Sequence, residues 1–130
     1  MQRWITIGLL MAAGSVAIAR AQLPLELAKP APPTGGALFV AQCGTCHTME
    51  RGAPARQGPN LAGVFQRKAG SLPDFHYSPG LAQAGFVWDE AHLDEWLSNP
   101  QKLVPGSVMA YRQSNPAVRA SIIAWLKEQH

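Results

Sequence analysis

The segment Cys43-Gly44-Thr45-Cys46-His47 places two thiols and an imidazole within a single short turn. This Cys-x-x-Cys-His pattern is typical of covalent haem attachment. Residues three apart share a face of a helical turn, so both thiols can reach the two vinyl groups of one porphyrin. The next side chain, His47, can then ligate the iron. The segment therefore predicts one haem c, attached through Cys43 and Cys46, with His47 as an axial ligand.

Three other uses of these cysteines are alternatives to haem attachment. A thioredoxin-like Cys-x-x-Cys expects a βαβ setting, which the sequence does not show. A zinc site needs four ligands, and His76 or His92 would have to complete it without a finger-like spacing. A disulfide between Cys43 and Cys46 is the remaining alternative in an oxidising compartment.

The first 21 residues are predicted to be a signal peptide. Arg3 gives a positive start, residues 4–19 are largely apolar, and Ala19-Arg20-Ala21 fits a small-x-small cleavage site. The apolar run is short for a membrane span, which needs about 20 residues, although an uncleaved anchor is the alternative. We expect a periplasmic protein with no membrane span in its mature form.

The rest of the chain divides into a tail and a domain. Residues 22–33 contain four prolines and are predicted to be a tail or linker, and residues 34–130 are predicted to fold. The 11 basic and 8 acidic residues give a formal net charge of only +3. A nucleic-acid-binding domain of this size would cluster many more basic residues on one face, so we expect no nucleic-acid partner.

A second axial ligand is needed for six-coordinate iron, and Met109 is favoured. Once a signal peptide is removed, Met49 and Met109 are the two methionines left. Met49 is too close to His47 to reach the other face of a porphyrin easily, whereas Met109 lies far along the chain in a predicted loop. A thioether opposite a histidine is an established haem ligation that raises the reduction potential. The alternative ligands are three histidines, His76, His92 and His130.

Local signals predict short helices separated by loops, and no strand. The predicted helix starts are Thr34, Ser78-Pro79, Asp89 and Asn115-Pro116. The second helix is predicted to end at Gly85 and the third at Asn99-Pro100, with residues 103–111 in a loop. The predicted fold class is all-α, with short helices and loops around one haem that adds apolar surface to a small core.

From Gly35 to Lys127 the sequence resembles class I cytochrome c, of the mitochondrial type and its close bacterial counterparts. The segments that carry the resemblance are Cys43-x-x-Cys46-His47, Gly58-Pro59-Asn60-Leu61, Asn99-Pro100, Pro105-Gly106-Ser107-Val108-Met109 and Ile123-Ala124-Trp125-Leu126. The resemblance implies the small cytochrome c fold, one covalent haem and electron carriage. It also implies that the first and last helices pack together through Gly35, Phe39 and Trp125.

The resemblance assigns four further residues to the haem site. The carbonyl of Pro59 is implied to accept a hydrogen bond from His47 and so to orient the imidazole, as partners of metal-bound histidines do. Arg67, Tyr77 and Trp88 match the positions that contact the haem propionates in this family.

Three residues near the implied site depart from the family pattern. Leu81 stands where the mitochondrial proteins usually have an asparagine, and Ser107 replaces a threonine but keeps the hydroxyl. Trp96 replaces a tyrosine, so we expect a hydroxyl contact on the sulfur side of Met109 to be missing.

The surface around the implied haem edge also departs from the family. Gln42, Gln101 and Val108 occupy three positions where the mitochondrial proteins carry lysines that dock acidic partners, while Lys102 remains. Complementary charge mainly sets association rate and partner choice. We therefore expect a weaker salt dependence of electron transfer, with apolar contacts from Val108, Ala110 and Tyr111 carrying more of the docking.

The leading functional hypothesis is a single-haem electron carrier that shuttles one electron between periplasmic or membrane redox partners. It is not an enzyme by itself and is a monomer when free. The alternative is the haem-bearing, electron-accepting subunit of an exported dehydrogenase. A third hypothesis, ligand binding or peroxidase chemistry at an open iron site, needs Met109 to be unbound or easily displaced.

Overall fold

Five helices and the loops between them make up the part of the chain that the computed structural model describes, residues 30–130. The helices are α1 (Gly35–Gln42), α2 (Pro79–Ala82), α3 (Glu90–Ser98), α4 (Pro100–Leu103) and α5 (Pro116–Lys127). No strand forms in residues 30–130, where one isolated antiparallel bridge joins Lys68 to Val87. The all-α prediction is confirmed. The predicted signal peptide and residues 22–29 of the predicted tail lie outside the described residues.

Side-chain caps begin three of these helices where the sequence predicts them. Thr34 and Asp89 each accept a hydrogen bond from the backbone N–H three residues later, at 3.3 and 2.8 Å. Asn115 accepts one from the N–H of Ala117 at 3.0 Å. Each cap satisfies a backbone donor that has no partner within its helix.

The predicted turns around α2 and α4 need two corrections. The Ser78 side chain makes no capping hydrogen bond, and α2 ends at Ala82, before Gly85. Asn99-Pro100 ends α3 as predicted, but it also begins α4, because Asn99 accepts a bond from the N–H of Lys102 at 3.4 Å. A proline at the first helical position suits such a restart.

The first and last helices of the described chain cross in close contact, as the resemblance implies. A Cβ atom at Gly35 would lie 2.2 Å from the carbonyl oxygen of Ser121 and 2.6 Å from Cβ of Trp125. Only a glycine lets the two backbones approach this far. Beside this crossing, the rings of Phe39 and Trp125 are 4.9 Å apart. The crossing holds the two ends of the domain together.

The buried core lies between α1, α3 and α5. Its members from these helices are Leu38, Phe39, Leu93, Trp96, Leu97, Ile122, Ile123 and Leu126. Within α5, Ile122 is completely buried and Ile123 and Leu126 are buried beside it, as expected for the apolar face of an amphipathic helix. Several of these side chains also form the wall of a cavity, so the core and the candidate site share residues.

Candidate haem site

A cavity of about 340 Å³ opens beside the core, within the size range of about 300–1,000 Å³ that is usual for small-molecule and cofactor sites. Much of its wall is apolar, from residues such as Phe39, Leu61, Leu81, Leu93, Leu97, Ile122 and Leu126. All eight residues singled out from the sequence border it, namely Cys43, Cys46, His47, Pro59, Arg67, Tyr77, Trp88 and Met109. The fold therefore brings together residues from segments that are far apart in the sequence.

The two cysteines follow directly on α1. Cys43 is the C-cap of that helix, and its carbonyl accepts the N–H of His47 at 2.9 Å, so the motif continues as a helical turn. Cys43 and Cys46 are separate thiols, with no disulfide between them. Burial, and then the proximity of Cys46, raise the pKa of the Cys43 thiol to about 11.

The zinc alternative finds no support around these cysteines. In residues 30–130 no three histidine, cysteine or acidic side chains come together in a way that could hold a metal ion.

His47 is fixed by a hydrogen bond to the Pro59 carbonyl. The imidazole Nδ1 lies 2.8 Å from this oxygen, which can only accept, so Nδ1 carries the proton and Nε2 keeps a free lone pair. Burial lowers the pKa of His47, and the bond to Pro59 opposes this in part. The ring lies against Gly58, where a Cβ would be 2.3 Å from imidazole Cε1. The neutral, oriented imidazole is the form that ligates a metal.

Asn60 holds the loop that carries the Pro59 carbonyl. Its Nδ2 lies 3.0 Å from Thr48 Oγ1 and 2.7 Å from the carbonyl oxygen of Glu50. Its Oδ1 accepts the N–H of Ala62 at 2.8 Å. One side chain thus ties the segment after the Cys-x-x-Cys-His motif to the segment that orients His47.

Met109 borders the cavity, and its sulfur has a hydrogen-bond donor. The indole N–H of Trp96 donates to Met109 Sδ at 3.2 Å. The replacement of tyrosine by Trp96 removes the hydroxyl contact, as expected, but the sulfur still has a hydrogen-bond donor. The longer indole supplies an N–H where a phenol would supply an O–H. Trp96 is itself held in place by an edge-on contact with Trp88, at 5.3 Å between ring centres.

The three histidines considered as alternatives to Met109, namely His76, His92 and His130, do not border the cavity. His92 is engaged elsewhere: its Nδ1 lies 2.8 Å from Asp89 Oδ1, and its ring stacks on Phe86 at 4.3 Å.

Polar groups gather at another part of the cavity wall. Arg67 donates to the carbonyls of Ala62 and Asn60, both at 3.0 Å. Burial lowers the pKa of Arg67 and raises the pKa of Tyr77. These groups are desolvated without a carboxylate partner among the contacts that the structure shows for them.

Ser78 is a site residue that the sequence analysis missed, since it was interpreted only as a helix cap. Ser78 borders the cavity, and its hydroxyl is buried and has no hydrogen-bond partner. Such a group costs about 1–3 kcal/mol unless something binds it. Its position next to Tyr77 was the available signal.

These features fit haem c: two thiols on one turn, an oriented imidazole, a thioether, apolar walls, and polar groups suited to propionates. A helical domain that brings these groups together around one cavity is typical of the c-type cytochromes.

The sequences of known proteins agree with this assignment. The chain is 40% identical over 96 residues to cytochrome c of Sesamum indicum, covering 73% of this chain and 86% of the relative. It is 41% identical over 98 residues to cytochrome c of Theileria annulata, covering 75% and 84%. With cytochrome c of Chlamydomonas reinhardtii the identity is 40% over 95 residues, covering 72% and 85%. No protein-family model matches the chain.

The chain belongs to the cytochrome c family. It is a haem protein of the electron-carrying class, with one haem c attached through Cys43 and Cys46. No helix in residues 30–130 is both long enough and apolar enough to cross a membrane.

Proposed function

We propose that this protein is a single-haem electron carrier in which His47 and Met109 are the two axial ligands. The observation that carries the proposal is that both side chains border one cavity and that each has its own hydrogen-bond partner, Pro59 and Trp96. The chemistry that the haem supplies when bound is the gain and loss of one electron.

The two ligands make the protein a carrier and not an enzyme. With His47 and Met109 both coordinated, no position on the metal is left for a substrate. The Pro59 carbonyl fixes the imidazole in one orientation, and Trp96 holds the thioether. Because both ligands keep their positions in the two oxidation states, the reorganisation energy of electron transfer stays small.

Arg67, Tyr77, Ser78 and Trp88 form the propionate-binding part of the site in this proposal. The buried Ser78 hydroxyl gains the hydrogen bond that it otherwise lacks. The Arg67 guanidinium offsets a carboxylate in a part of the cavity that is shielded from water, where such a pairing is strong.

We propose that the carrier is exported and docks redox proteins of the periplasm or the membrane. Export is supported by the signal pattern of residues 1–21, and removal of that segment leaves nine basic residues against eight acidic ones. Docking is assigned to the cavity-bordering surface around Val108, whose side chain is 82% exposed. Exposed apolar side chains next to a redox centre suit brief contacts with a partner.

The visible spectrum of the haem-loaded protein tests the ligation. We expect a sharp low-spin reduced spectrum and, in the ferric protein, the weak far-red band of methionine-bound iron. Met109→Leu should retain covalent haem and lose this band. Met49→Leu is the matched control, because it removes the same thioether from a residue outside the cavity wall, and it should keep the band. A far-red band that survives in Met109→Leu would disprove the assignment.

A further inference from the structure

Three polar side chains, Gln42, Tyr111 and Gln113, form a hydrogen-bonded cluster that joins the end of α1 to the loop carrying Met109. We propose that this Gln42–Tyr111–Gln113 clasp holds the Met109 loop closed and so keeps external ligands away from the iron. The inference rests on the proposed His47/Met109 ligation.

The contacts within the clasp converge on one oxygen. The Tyr111 hydroxyl donates to Gln42 Oε1, and Gln113 Nε2 lies 3.1 Å from the same oxygen. Gln113 Nε2 is also 3.3 Å from the Tyr111 hydroxyl oxygen. Three groups that close a triangle restrain one another more than a single pair does.

The clasp links three separately held parts of the domain. Gln42 is the last residue of α1 and directly precedes Cys43, which is tied to the haem. The backbone N–H of Gln113 donates to the carbonyl of Leu97 in α3 at 2.8 Å. Tyr111 lies two residues after Met109. Movement of Met109 away from the cavity therefore pulls Tyr111 away from two elements that do not move with it.

Further contacts hold the loop at and before Met109. Gln101 Nε2 lies 3.2 Å from Ser107 Oγ, and Gly106 donates its N–H to Gln101 Oε1 at 3.1 Å. Trp96 holds Met109 itself. Beyond Met109, the clasp is the side-chain contact that ties the loop to α1. Its loss therefore loosens that end of the loop and leaves the contacts at and before Met109 in place.

Replacement of Met109 by imidazole on the ferric holoprotein tests the clasp. In this reaction the Met109 sulfur–iron bond breaks and an imidazole nitrogen–iron bond forms, with no change in oxidation state. At saturating imidazole, the rate equals the rate at which Met109 leaves the iron. Tyr111→Phe removes only the hydroxyl, and Gln42→Ala removes the acceptor.

We expect each variant to exchange about three- to tenfold faster, the effect of one net hydrogen bond. The double variant loses all three contacts, so it should exchange at least as fast as either single variant, but by less than the product of their two effects, because both substitutions remove the Tyr111–Gln42 bond. An unchanged rate in Tyr111→Phe, with the far-red band present in the parent protein, would overturn the clasp and leave the ligation intact. Absence of the band in the parent protein would instead overturn the ligation and the clasp with it.

A general loss of stability is separated from the clasp by Thr34→Ala. Thr34 caps α1 at the end away from Gln42, so this variant destabilises the domain without touching the clasp. We expect its imidazole rate to stay at the parent value. If Thr34→Ala accelerates exchange as much as Tyr111→Phe does, the effect is one of overall stability and the clasp is disproved.

Discussion

Among individual residues, Trp96 has the most direct bearing on the electronic properties of the site. Its N–H points at the sulfur that we assign to the iron, at 3.2 Å. A donor on the sulfur draws electron density away from the thioether, which therefore donates less to a metal. The ferric state depends more on that donation than the ferrous state does, so the contact favours reduction.

Trp96→Phe should lower the reduction potential of the haem. The loss of one hydrogen bond, worth about 0.5–1.5 kcal/mol, corresponds to about 20–65 mV for a one-electron couple. Spectroelectrochemical titration measures the shift. Trp125→Phe, which changes an indole outside the cavity wall, should leave the potential in place. An unchanged or higher potential in Trp96→Phe would contradict the role of the N–H.

Among the helices, the crossing of α1 and α5 leaves the least room for change. Gly35→Ala should destabilise the protein by about 1–3 kcal/mol, the usual cost of forcing extra volume into a packed interface. Helix propensity alone predicts the opposite sign, a gain of about 0.5–1 kcal/mol. The free energy of unfolding in guanidinium decides between the two.

The matched control for that experiment is Val40→Ala in the same helix. Val40 is 72% exposed, so this substitution changes helix propensity without creating a clash, and it should be neutral or slightly stabilising. A Gly35→Ala protein as stable as the parent would mean that the two helices can separate at little cost.

The start of α3 gives the domain a dependence on pH. Hydrogen bonds from the backbone N–H and then the side chain of His92 hold the pKa of Asp89 below its usual value of 3.8. The folded state thus favours the ionised carboxylate. The contribution of the ionised Asp89 carboxylate to stability is fully present above the pKa that Asp89 has in the unfolded chain. This contribution is lost as the pH falls through the lower pKa that Asp89 has in the folded protein.

Asp89→Asn should therefore reduce stability at pH 7, and the difference from the parent should shrink below about pH 4. Urea unfolding of the holoprotein at a series of pH values measures this. Asp74→Asn, which neutralises an exposed carboxylate, controls for net charge. A difference that is constant from pH 7 to pH 3 would show that the charge of Asp89 plays no part.

On the scale of the whole molecule, the distribution of charge sets how the protein meets its partners. The surface around Val108 carries glutamines and apolar side chains where the mitochondrial family has lysines. Salt screens the electrostatic attraction between exposed charges and a charged partner, over about 10 Å at 0.1 M. A surface with few charges has little such attraction, so added salt should change its association rate little.

We expect the rate of reaction with the hexacyanoferrate couple, a small anionic probe, to change little with ionic strength. Val108→Lys should make the rate faster at low salt and more steeply dependent on salt. Val40→Lys adds the same charge on a residue outside the cavity wall and should have a smaller effect. The rates are measured by stopped flow. A rate for the parent protein that falls steeply on addition of salt would contradict the expectation.

Local signals were enough to predict most of the helices, because a cap acts through a few neighbouring residues. Thr34, Asp89 and Asn115 each make the bond expected of them. The start of α4 was not predicted. Asn99-Pro100 ends one helix and begins the next, and this pair was interpreted only as a helix end.

The residues that we expected at the site and that border the cavity could be named from the sequence, but several of their contacts could not. The Trp96–Met109 bond joins residues 13 apart, and the Tyr111–Gln42 bond joins residues 69 apart. Ser78 has the same local sequence whether its hydroxyl caps a helix or is buried without a partner. Tertiary packing decides such cases, and no short-range pattern carries that information.

The crossing of α1 and α5 also bears on how the protein is made. A chain is synthesised from its N-terminal end, so Cys43 and Cys46 emerge well before Ile122 and Leu126, which complete the cavity wall. Until α5 has been made, α1 has no partner at the crossing and the cavity lacks the part of its wall that Ile122 and Leu126 supply. The domain therefore cannot close around its cavity before its last helix is present.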